Sequence, residues 1–213
     1  MRPPDDWRRA RVTLWIAGVT ALAWGLAAGL GLSDGAAVWA GFIPARLGLL
    51  PDDGSLAPFF LTPLTAALVH GGLMHLVFNL LILLFCGRSV EVILGGRQLL
   101  ILYVLGAYAA AAAHYFTGPE QAIPMVGASG AISAVLGAYA MLFGRNRVKI
   151  ANPTVALWVN ALWLAAAWVG LQLIVGLTFE TAGTNIAVAA HIGGFIVGLL
   201  LAKPLLLIRY RRA

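Results

Sequence analysis

The sequence predicts an all-α fold, a polytopic membrane protein with six transmembrane helices in a single domain over residues 1–213. Three observations carry this. The chain is 61% hydrophobic and only 10% charged, more apolar surface than a soluble domain of this size can hide. Apolar runs approaching the ~20 residues needed to cross a bilayer recur six times. Finally, 13 of the 14 Lys and Arg fall on one set of the joins between those runs.

The first span, 12–32, follows the basic stretch "MRPPDDWRRAR". A retained anchor is expected rather than a cleaved signal peptide, because no small-residue cleavage site ends the run and more spans follow. The outer loop carries "PDDGSLAP" and the aromatics Trp39, Phe42, Phe59 and Phe60. The second span, 72–92, is joined by "LGGRQ" to the third, 98–116, which holds the alanine run Ala109 to Ala113 and ends near His114. "TGPEQAIP" leads to the fourth, 129–144, and "GRNRVKIANP" to the fifth, 154–177. "FETAGTN" precedes the sixth, 186–208. Pro, Gly and charge mark every one of these joins.

The basic residues set the orientation. Arg2, Arg8, Arg9 and Arg11 precede the first span, Arg88 and Arg97 flank the second join, Arg145, Arg147 and Lys149 the fourth, and Lys203, Arg209, Arg211 and Arg212 the end. Only Arg46 lies on the other side. Positive residues mark the cytoplasmic face, so both termini are expected inside; the small core without a targeting extension favours a bacterial inner membrane. The net charge of +6 is thereby a topology signal, and no nucleic-acid partner is expected, since no basic run interleaves with aromatics. A single cysteine, Cys86, excludes a disulfide framework.

Spans two, four and six all run from outside to inside. His75 and Asn79 fall in the first turns of the second, Ser129 opens the fourth, and His191 lies about one and a half turns into the sixth. At ~1.5 Å per residue these groups share a layer within roughly 10 Å of the outer helix ends. Ionisable groups at such depth point to function. The fourth span is also short, roughly 22 Å at ~1.5 Å per residue against a ~30 Å hydrocarbon core. Ser129 would be submerged, and "TGPEQAIPMVGA" would descend to it as irregular backbone, which requires surrounding protein or a water cavity.

In the sixth span, His191, Gly194, Gly198 and Ala202 share one face. Gly194 and Gly198 form a GxxxG pair, and the fourth span offers Gly130, Ala134, Gly137 and Ala138 in return. Taken alone, the glycines would only pack helices. With serine and histidine at one depth, they suggest a hydrogen-bonded Ser129–His191 pair, in which the base takes the serine proton and activates the nucleophile. No acidic residue lies deep in the outer half of a helix, so a dyad is expected rather than a triad. His75 and Asn79, at i and i+4, are candidate oxyanion donors together with the free N–H of Ser129 at its helix start; Asn79 by itself would equally serve as an interhelical bond. A metal site is not expected. His70 and His75 would stand about 140° apart around a helix, and no carboxylate or cysteine completes a set. His114 is expected as an interfacial side chain, and Glu91, near Arg88, as an ion-pair partner or cap.

These residues spell a pattern. "HGGLMHLVFN", "GASG" and "AHIGGFIVG" resemble the HxxxxHxxxN, GxSG and AHxxGxxxG motifs of the rhomboid intramembrane serine proteases, in order and on the matching helices. Glu91, twelve residues after Asn79, also fits. The resemblance implies a serine endopeptidase that cleaves single-span transmembrane protein substrates near the outer end of their helix, with no metal or other cofactor. Ser129 and His191 would be catalytic, His75, Asn79 and the Ser129 amide would form the oxyanion hole, and His70, Gly127, Gly130, Gly194 and Gly198 would support them. Gly127 would let the loop approach the scissile carbonyl. A small residue before the cleaved bond and lateral entry past the fifth helix are further expectations, with "FETAGTN" capping the site. Two positions depart from the pattern. Leu61 and Thr62 stand where many rhomboids carry Trp-Arg, so the outer loop must be ordered otherwise, with its apolar residues expected to dip into the leaflet. Ser133 stands where an aromatic often stacks on the histidine. The alternatives are a rhomboid-like binder that holds client helices without cutting them and, third, a transporter, for which no broken-helix repeat or ion pathway is evident.

Overall fold

The computed structural model describes residues 6–50, 54–144, 152–181 and 187–211. Within them the fold is helical, and all six expected helices are present. They are α1 (Arg11–Gly29), α2 (Leu73–Leu94), α3 (Gly96–Thr117), α4 (Ser129–Phe143), α5 (Pro153–Thr181) and α6 (Val188–Tyr210). Five are long and apolar enough to cross a membrane, while α4, with 15 residues, belongs to the shorter apolar helices. Arg145, Arg147 and Lys149, and most of the "FETAGTN" loop, lie outside the described residues.

The short helix occupies the centre of the bundle. Gly130, Ala131, Ile132, Ser133, Ala134, Val135, Gly137 and Ala138 are all buried, flanked by α3 and α6. Small residues make this possible. Side chains at Gly194 and Gly198 of α6 would collide with the carbonyl oxygens of Gly130 and Ala134, and one at Gly137 with that of Phe195. The alanine run of α3 has the same use: Ala110 abuts Gly130, while Ala109 and Ala113 abut Gly193. The backbones of three helices thus meet almost without intervening side chains.

The remaining helices wrap this centre less tightly. In α5 only 11% of the span is buried, against 50% in α2. The α1 helix lacks a side-chain cap of its own, its preceding residue being Ala10. Glu91 of α2 supplies one instead: its carboxylate accepts from the Val12 amide at 2.9 Å, the Thr13 amide at 2.7 Å and the Thr13 hydroxyl at 2.7 Å. This meets the cap expectation, with an anion at a helix N-terminus where the dipole favours it. One turn of α2, Leu83–Gly87, is a π-helix.

The loop between α1 and α2 shows how the chain manages without a Trp-Arg pair. Arg46 is buried; its Nη1 donates to the Ala57 carbonyl at 3.0 Å, and its guanidinium lies 5.9 Å from the Phe59 ring centroid. Trp39 and Phe60 are exposed. Phe42 is not: it is buried, packs on Phe59 and His114, and exchanges two backbone hydrogen bonds with Met125. His114 is correspondingly buried rather than interfacial, because Phe42 and the loop fold over the end of α3.

Candidate active site

Ser129 is brought into reach by the descent of residues 118–128. Their backbone is irregular, as expected, and protein meets several of its polar groups. The Met125 pair with Phe42 is followed by Gly127 N–H to the Ala66 carbonyl at 2.9 Å and by Ala128 N–H to His70 Nε2 at 3.5 Å. Gly127 adopts φ +115, a region that favours glycine. The chain then enters α4 at Ser129, whose amide is among the first, unpaired N–H groups of the helix.

The α4–α6 seam sets the partner. Gly194 and Gly198 hold α6 so close to α4 that His191, one turn before Gly194, meets the serine: His191 Nε2 lies 2.7 Å from Ser129 Oγ. A serine hydroxyl in this contact with an imidazole nitrogen is the arrangement that activates the oxygen as a nucleophile. Both side chains are half-buried, sheltered yet reachable.

α2 brings the candidate donors. His75 Nδ1 accepts from the Gly71 amide at 3.4 Å, which leaves its proton on Nε2. That Nε2 faces the space above Gly127: a side chain on Gly127 would stand 2.6 Å from it and 3.7 Å from Ser129 Oγ. A group filling that space would touch the histidine donor and the serine together. Asn79 is buried one turn further along α2, where its Nδ2 donates to the His75 carbonyl at 2.9 Å. One amide hydrogen is thereby engaged within the helix, and the second is left for another acceptor.

His70 corrects a geometric expectation. A helical spacing of about 140° from His75 assumes both on one helix, but the helix starts at Leu73. The turn before it brings the two rings edge to face, centroids 4.9 Å apart. No group of three or more His, Cys, Asp or Glu suited to a metal occurs among the described residues.

Two residues at the site were not anticipated. Gln172 of α5 is buried, and its Oε1 lies 2.8 Å from His191 Nδ1. Trp168, one turn earlier, donates its indole N–H to the His191 carbonyl at 3.3 Å and stacks on Phe195, ring centroids 5.0 Å apart. The signal for Gln172 was present in "WVGLQLIV": an amide inside an apolar span calls for a partner. Ser133, where an aromatic was expected, is buried in α4, and α5 holds the histidine instead.

Comparisons with known proteins identify the family. A family model for the rhomboid domain matches residues 60–208. The chain is 32% identical over 146 residues to the rhomboid protease GlpG of Enterobacter sp. (strain 638), covering 65% of this chain and 46% of that one. The same proteins of Pectobacterium atrosepticum (32% over 138 residues) and Yersinia pestis strain Pestoides F (32% over 142 residues) each match 64% of this chain and 45% of their own. The chain thus spans just under half the length of these relatives. The match to the family model takes in every motif residue from His70 to Gly198, and with the helical bundle it makes this integral membrane protein a member of the rhomboid family.

Proposed function

We propose that the protein is an intramembrane serine endopeptidase working through Ser129 and His191. The contact of 2.7 Å between His191 Nε2 and Ser129 Oγ, at the first residue of α4, is the observation that carries the reading. The relatives named as rhomboid proteases support it.

In the reaction, Ser129 Oγ attacks a peptide carbonyl while His191 Nε2 takes its proton. The oxyanion formed is met by the Ser129 amide, His75 Nε2–H and the second amide hydrogen of Asn79, and each such donor is worth ~3–4 kcal/mol of transition-state stabilisation. His191 then passes the proton to the leaving amine. An acyl-enzyme on Ser129 remains until water, deprotonated by the same nitrogen, releases the acid. Gly127 keeps the space for the carbonyl open.

Single-span transmembrane proteins are the proposed substrates, cut near the outer end of a helix after a small residue. The termini would face the cytoplasm of a bacterial cell, the lipid bilayer would surround residues 1–213 as one six-helix unit, and no cofactor enters any step. Ser129→Ala should abolish cleavage of a single-span reporter in proteoliposomes, along with labelling by a serine-directed phosphonate. Cleavage retained in that variant would refute the assignment. A binder of client helices would give no phosphonate labelling of the wild type, and its client capture would survive the substitution.

A further inference from the structure

We propose that Gln172 is a positioning residue for His191: its amide oxygen accepts the Nδ1 proton, fixes the tautomer that can receive the Ser129 proton, and so couples the seat of α5 to catalysis. The proposal rests on the serine–histidine reading above, and its decisive measurement does not depend on cleavage.

A neutral imidazole carries one donor and one acceptor nitrogen. Nε2 faces Ser129 Oγ at 2.7 Å. To accept from that hydroxyl it must be unprotonated, so Nδ1 must hold the hydrogen. A sheltered Nδ1–H calls for an acceptor, and the buried Gln172 places its Oε1 2.8 Å away. Among the described residues no carboxylate is bonded to this ring, so the orienting task falls to a neutral amide. The proton on Nδ1 stays there throughout the reaction, and Gln172 neither gains nor loses one.

The position of Gln172 in the fold gives this bond a second meaning. Gln172 is 5% exposed, although it lies on the most lipid-exposed of the spanning helices. Leu162, Trp163, Leu171 and Ile174 of α5 all point outward. An amide turned inward from such a helix is there for a partner, since an unpaired one in an apolar layer is expensive. Trp168 lies on the same face, four residues earlier. Together the two grip His191 by its backbone carbonyl and its ring, and Trp168 stacks on Phe195 one turn further along α6. If α5 moves away from α6, the imidazole loses its acceptor and the fixed tautomer with it. A bound segment that displaced α5 without restoring the Gln172 contact would be held and not cut.

The test compares wild type, Gln172→Leu and Gln172→Glu in micelles. Leucine keeps the bulk and removes the acceptor, whereas glutamate keeps an oxygen in place. Nitrogen-15 NMR of labelled histidine reads the His191 tautomer, the signal being assigned by its loss in His191→Ala. The wild type should show a single Nδ1–H form, Gln172→Leu a mixture of tautomers, and Gln172→Glu an Nδ1 that again carries hydrogen. Where the wild type cleaves a reporter, kcat should fall roughly 10–100-fold in Gln172→Leu with KM changed less than about 3-fold, taking as the guide the loss of a hydrogen-bond partner that orients a metal-bound histidine, and Gln172→Glu should recover most of it. An unchanged tautomer in Gln172→Leu would overturn the proposal, whether or not kcat falls. So would a loss of kcat that tracks a lowered melting temperature and is not rescued by glutamate. If Ser129→Ala still cleaves while the tautomer shifts as stated, the protease reading fails and the positioning role stands.

Discussion

Along α6, one side meets α4 through backbone and the other meets α5 through two large side chains. Toward α4, Gly194 and Gly198 leave no room for a methyl group beside the Gly130 and Ala134 carbonyls. Toward α5, the contact near the site runs through Trp168 and Gln172 onto His191 and Phe195. The first seam fixes where His191 is; the second fixes which way its ring faces. Close-packed interiors respond to a single added carbon, so the first cannot shift and persist. A seam of one hydrogen-bonded pair and one stacked ring can open and close.

The sharpest way to break this contrast is to add volume to the rigid side. Gly198→Val should destabilise the bundle by about 3 kcal/mol, lowering the melting temperature in detergent and abolishing cleavage with it. A variant of normal stability would show that the seam yields. Gln172→Leu should do the reverse, with nearly normal melting temperature and the loss of kcat given above. Away from both seams, Arg46→Met removes the donor to the Ala57 carbonyl. A loss of about 1.5 kcal/mol is expected for a charged hydrogen bond, seen as faster proteolysis of the outer loop while Ser129 still labels. An unchanged loop would mean that Phe42 and Met125 suffice. The smallest effect belongs to Trp168→Phe, which keeps an aromatic on Phe195 and removes one bond to a carbonyl. A change in stability of about 1 kcal/mol or less and a kcat within about 3-fold of wild type are expected; a larger fall in kcat would place more of the orienting task on Trp168 than on Gln172.

The helices and the Ser129–His191 contact were legible because each leaves a local record. Apolar runs of span length, basic joins and a small-residue face at i, i+3 and i+7 can be read without knowing the partner. Contacts made across helices leave less. Gln172 sits in "GLQLIV" with no companion motif, and Asn160 in the same helix gives a similar signal, so neither stood out. In the sequence Arg46 stands out only as the one basic residue away from the other thirteen. The interfacial reading of His114 failed because Phe42 comes from about seventy residues earlier in the chain. The angle between His70 and His75 failed for a simpler reason: the helix begins between them.

One contact bears on where this molecule can be cut. The family resemblance covers residues 60–208, which leaves α1 outside. Yet Glu91, inside that range and buried, directs its carboxylate at the first turn of α1 and bonds Val12 and Thr13. A fragment trimmed to the recognised region would keep Ser129, His191 and Gln172 and leave the Glu91 carboxylate without the three donors that α1 gives it. The stretch that relatives share is therefore smaller than the piece that must be made to obtain a stable protein. A shortened version would do better to carry residues 11–29 along, or to replace Glu91 before leaving them out.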